Sequence, residues 1–197
     1  MTGAPSQSHE GAHMSGIRFA TARALFETFP QSITKLAVAP TDESPVIFLK
    51  SLLAREKFED AVTFCAYLLP RREAVWWACK STRALPGAVP QDRPAALAAA
   101  EAWVREPDEQ HREAALAVGA QGDVKEPMTW LALAAGWSSG SLSSNPKMPV
   151  PAPHYLTARA VRLAVLLSAR SVQSPVRSAH LRSLVADGIQ LAEAGLE

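Results

Sequence analysis

The stretch KFEDAVTFCAYLLPRREAVWWACKSTRAL, Lys57 to Leu85, decides the fold. In its first half Phe58, Ala61, Val62, Cys65, Leu68 and Leu69 recur at the i, i+3, i+4, i+7 spacing of one helix face. Pro70 then ends that helix and opens another, because proline lacks the N–H that a helix interior needs but suits a first turn. The pattern predicts two consecutive helices and sets adjacent indoles, Trp76 and Trp77, in the second.

On a wheel of about 100° per residue with Trp76 at the origin, Arg72, Lys80 and Arg83 fall within about 40° of it. Glu73 lies at about 60° and Trp77 at about 100° on the same wheel. The opposite half carries Ala74, Val75, Ala78 and Ser81, small enough for close helix approach. Two readings follow. Both indoles fill grooves while Arg and Lys stems cover them. Alternatively Arg72, Glu73, Trp76, Trp77, Lys80 and Arg83 form a partner-binding face, since Trp and Arg are enriched in interface hot spots. Catalysis by Glu73 with Cys79 as nucleophile is a third reading, but no histidine lies nearby in sequence to serve as base.

Outward from this core the chain stays helical. TARALFETF (Thr21 to Phe29) is short and amphipathic, and Asp42 or Ser44 before Pro45 suits an N-cap for a helix to about Arg55. AALAAAEAWVRE follows the loop GAVPQDRP. Pro107 and Asp108 restart a helix with an acidic first turn, and Pro127 begins MTWLALAAGW. Ser138 to Pro153, SSGSLSSNPKMPVPAP, has a flexible Ser/Gly half and a stiff Pro half and reads as a long surface loop, with a mobile contact loop as one further reading. HYLTARAVRLAVLLSAR is apolar nearly all round, which predicts a central buried helix. The last helix, from about Ser174, is expected to bury Leu181, Leu184, Val185 and Leu191. No repeat unit recurs.

The expectation is one all-α domain over 17–197, a bundle of about eight helices with room for helical-hairpin stacking and no sheet. Residues 1–16 read as a disordered leader, with Met14 an alternative start.

The chain has 197 residues and a net charge of +1, too little basic excess for a nucleic-acid binder. Cys65 and Cys79 sit in apolar patterns without metal-ligand spacing, so free thiols in a reducing, cytoplasmic setting are expected. There is neither a basic start with an apolar run, as in a secretory signal, nor an apolar run near the roughly twenty residues that span a bilayer. GWSSGSLSSNP is neither a GxSxG elbow nor a phosphate-binding loop. His111 reads as part of a capped first turn, His154 as a positioning residue, and His9 and His13 as leader histidines. No cofactor or metal is expected.

RFATARALFETFP, FEDAVTFCAYLLPRREAVWWAC, AALAAAEAWVREP, GWSSGSL and PVPAPHYLTARAV occur in that order. Together they resemble a family of uncharacterised bacterial proteins, a domain of unknown function often encoded among type VI secretion components, over about Ile17 to Glu197. The resemblance implies a cytoplasmic accessory or adaptor role with a secretion-associated protein partner, and supplies no active site. Beside it the residues support a non-enzymatic adaptor, chaperone or assembly factor whose contact residues also include Trp137 and His154. The other class is a small-ligand binder or enzyme with a pocket between the Trp76/Trp77 helix and the 136–142 loop. An immunity protein, a third class, would carry a strongly charged concave face that this chain does not advertise.

Overall fold

The computed structural model describes residues 18–30, 36–85, 94–143 and 147–194; the expected leader lies outside them. Nine helices form among the described residues, and no strand does. They are α1 (Ala22–Thr28), α2 (Pro45–Ala54), α3 (Phe58–Leu68), α4 (Arg71–Ala84) and α5 (Ala95–Arg105). The rest are α6 (Glu109–Gln121), α7 (Pro127–Gly136), α8 (Leu156–Arg170) and α9 (Val176–Ala194). The expected all-α architecture is the one observed.

Local chemistry sets the starts. Thr21 caps α1 by accepting from the Ala24 N–H at 3.1 Å, and Asp108 caps α6 by accepting from the His111 N–H at 2.7 Å. Ser44, not Asp42, caps α2, with Pro45 following in the first turn. Asp42 instead binds Arg23 on α1 at 2.6 Å.

Helix α8 is the spine. It lies against α3, α4 and α7, and it buries Ala160, Val161, Ala164, Val165 and Ala169. The small residues let its neighbours close in, as the all-round apolar pattern implied. A hydroxyl pair, Thr82 and Ser168 at 3.2 Å, joins α4 to α8 inside the core. Phe26, Phe48 and Phe64 form an aromatic cluster at the α1–α2–α3 end, with Phe48 and Phe64 centroids 4.7 Å apart.

Helix α9 returns across α3 and α4. It buries Leu181, Leu184, Val185 and Leu191 as expected, and Ile189 with them. Gly188 marks the closest passage: a Cβ there would stand 2.4 Å from Cys65 Sγ and 3.0 Å from Trp77 Nε1.

The loop expected after α7 is cross-linked in its described parts by hydrogen bonds between its Ser/Gly and Pro halves. The Leu142 N–H donates to Val150 O at 2.8 Å and the Ala152 N–H to Gly140 O at 3.1 Å, closing an isolated Ser141–Pro151 bridge. Ser141 Oγ accepts from the N–H groups of Ser143 and Val150, both at 3.0 Å. Under this loop lies Arg112, 3% exposed, which donates to Gly136 O at 2.8 Å and to both carboxylate oxygens of Glu109. Gly140 passes over that guanidinium with φ +66°, where a Cβ would meet it at 3.0 Å, so this turn requires glycine.

Candidate docking site

The wheel of α4 divides in the structure much as it does on paper. Ala74, Val75, Ala78 and Ser81 are buried, and the side carrying Trp76, Lys80 and Arg83 faces outward. Trp77 departs from the expected partner face. It is fully buried, and its Nε1–H donates to Leu184 O at 2.8 Å, locking α4 to α9. A side chain with no exposed surface contacts nothing outside the fold, so Trp77 belongs to the core.

Trp76 is half-buried and forms one wall of a groove of about 470 Å³ between α4 and α5. Trp76, Cys79, Lys80 and Arg83 line it from α4, and Glu101, Val104 and Arg105 from α5. Lys80 Nζ stands 5.4 Å from the Trp76 ring centroid, a cation–π contact, and reaches Asp187 on α9 at 2.9 Å. Arg83 binds Glu101 through two parallel hydrogen bonds, Nη2 to Oε2 at 2.6 Å and Nε to Oε1. That fork raises the guanidinium above its ordinary pKa, chiefly through the hydrogen bond. Arg105, exposed in the last turn of α5, has no ion pair among the described residues.

Two polar links join α4 to α5 at the groove. One is the Arg83–Glu101 fork; the other is Arg72, whose Nε–H donates to Val104 O at 2.8 Å. Arg72 is thus a strut between α4 and α5 more than a contact residue. Glu73 points its charge elsewhere. It acts on the arginine cluster at the start of α4, where Arg18 donates to Tyr67 O and Leu69 O, each at 3.1 Å, and Arg71 donates to Ser138 O. Burial foremost, then Arg71, pulls the Arg18 guanidinium below its ordinary pKa, while Glu73 opposes them.

The structure separates what the sequence reading had joined. Trp137 is half-buried with its ring edge-on to Trp130 at 6.3 Å, and His154 is exposed with its ring 5.3 Å from Phe29. Neither lines the Trp76 groove. The 136–142 loop meets α4 through Arg71 and Ser138, so the wall facing Trp76 comes from α5 instead. Spacing on α4 could not name Glu101, Val104 and Arg105, because helix pairing is a tertiary fact.

Cys79 is buried, and desolvation foremost pushes its thiol far up, with Glu101 adding to the shift, so no thiolate is on hand. Cys65 is held neutral in the same way, and both cysteines are free. Glu106, Asp108 and His111 each bring a ligand-type atom within 4.8 Å of the others. The Asp108 Oδ1 there is already used twice, by the His111 N–H at 2.7 Å and by its ring Nδ1 at 2.9 Å. Among the described residues, no helix is long and apolar enough to cross a membrane.

A protein-family model described as a family of unknown function (DUF6931) matches residues 48–192, from within α2 to near the end of α9. The match therefore includes the whole α4–α5 groove. No curated protein and no solved structure matches the chain.

Proposed function

Since the chain belongs to the DUF6931 family of unknown function, we propose from its own surface that it is a non-enzymatic helical adaptor, docking a protein segment in the α4–α5 groove. The observation that carries this reading is the contrast within the tryptophan pair. Trp77 is spent on the core, whereas Trp76 stays half-open in a braced groove with Lys80 and Arg83 beside it. An amphipathic indole flanked by cations is the composition of an interface anchor. A groove whose walls are already tied together orders little on binding, which favours affinity. The resemblance noted above supplies the setting: assembly or chaperoning of a component beside a type VI secretion machine, in the cytoplasm.

The test is affinity purification from the native cell with mass spectrometry, comparing the unmodified protein with Trp76→Ala. A specific partner should drop at least tenfold, the change expected for an anchor worth about 1.4 kcal/mol or more. The thermal melt should move by only a few degrees. Equal recovery of all co-purifying proteins with both forms would remove the groove from the adaptor reading.

A further inference from the structure

The charges lining the groove are unbalanced in a way that describes its occupant. Lys80, Arg83 and Arg105 face a single carboxylate, Glu101. Glu101 is committed to Arg83 through the two-point fork, and Lys80 is satisfied by Asp187 and the Trp76 face. Arg105 is left as a planar donor with no ion pair among the described residues, at the rim of a floor made by Cys79 and Val104. Guanidinium groups recognise carboxylates with two parallel hydrogen bonds, and Trp76 supplies an apolar face beside that fork. Resting on the adaptor reading above, we infer that the occupant is an acidic protein segment: an aromatic or branched apolar side chain lies along Trp76 while a neighbouring carboxylate meets Arg105.

A nucleic acid fits less well. Its backbone demands a run of free cations, and two of the three here already have protein carboxylates, in a chain of net charge +1. A purely apolar segment would leave Arg105 unanswered at the rim, whereas a basic one would set a like charge against it.

The experiment uses the full chain and three labelled probes in fluorescence polarisation. One is a synthetic peptide of Asp, Glu, Leu and Phe, another is its counterpart with Lys at each acidic position, and the third is a single-stranded oligo-dT. The acidic peptide is expected to bind, more weakly as salt rises, and to lose about tenfold in affinity with either Trp76→Ala or Arg105→Glu. Arg105→Glu should at the same time gain affinity for the Lys peptide. Because Arg105 is exposed and has no ion pair among the described residues, its variants should keep the fold, and an unchanged melt of Arg105→Gln provides the check. Equal binding of the two peptides, preference for the oligonucleotide, or indifference of the acidic peptide to Arg105→Glu overturns the inference. If the cellular partner is still lost on Trp76→Ala while the acidic peptide fails, the acidic occupant is wrong and the adaptor reading stands. If both fail, both fall.

Discussion

Trp77 puts its whole indole out of water and spends its N–H on Leu184, whereas Trp76, one position earlier, keeps part of its ring at the surface under Lys80. A 100° step around a helix is enough to separate a core residue from a rim residue. Trp77→Ala should therefore cost about 3–5 kcal/mol, the usual loss for truncating a buried aromatic, and it also removes the hydrogen bond that ties α4 to α9. Trp76→Ala should cost less than that, because part of its ring stays at the surface. Urea unfolding of the two variants, followed by circular dichroism, measures the difference directly. The cysteines follow the same logic of burial. Both thiols are buried and desolvation pushes each pKa up, as suits groups that pack in a core.

Among the elements, α9 depends most on a single small side chain. Gly188 sits where this helix crosses α3 and α4, and an added Cβ would overlap Cys65 Sγ at 2.4 Å. Helix propensity alone favours alanine over glycine by about 1 kcal/mol. Overpacking of a tight core contact costs about 1–3 kcal/mol and sets the sign here. Gly188→Ala should lower the melting temperature, and Cys65→Ala in the same chain should recover part of the loss by removing the sulfur. A double-mutant cycle with strongly non-additive values would identify the crossing as the cause; additive values would mean that α9 does not pass where the structure puts it. The α4–α5 pair is fixed differently, by polar braces at Arg72 and Arg83 on its outer side, which leaves the groove between them unfilled.

At the scale of the whole molecule, pH reads the closure of α9 onto α4. His180 Nε2 lies 3.1 Å from Ser81 Oγ, half-buried at that seam; Asp187 is the nearby acid, itself paired with Lys80. Burial foremost lowers the His180 pKa below its ordinary value, and Asp187 opposes it. A histidine whose folded pKa is depressed binds its proton more readily unfolded, so stability is full above about pH 6.5 and falls as the pH drops below it. The melting temperature should decline as the pH falls below about 6.5, and His180→Gln, which retains a polar partner for Ser81, should flatten that decline. The carboxylates lowered by partners, Asp42, Asp108 and Glu109, lose their contribution only at more acid pH and leave this window clear. The sequence by itself determined the helices, the capped first turn at Asp108, the small-residue face of α4 and the buried set of α9. Each of those follows from hydrogen bonds and side-chain spacing within about four residues, the reach of helical periodicity. Only the tertiary structure decided that α5 is the wall opposite Trp76, that Trp77 is core, and that the serine-rich loop is bridged over a buried Arg112. Those outcomes depend on contacts between residues as far apart as the 107 positions separating Trp77 from Leu184, and local periodicity carries no information about which faces will meet.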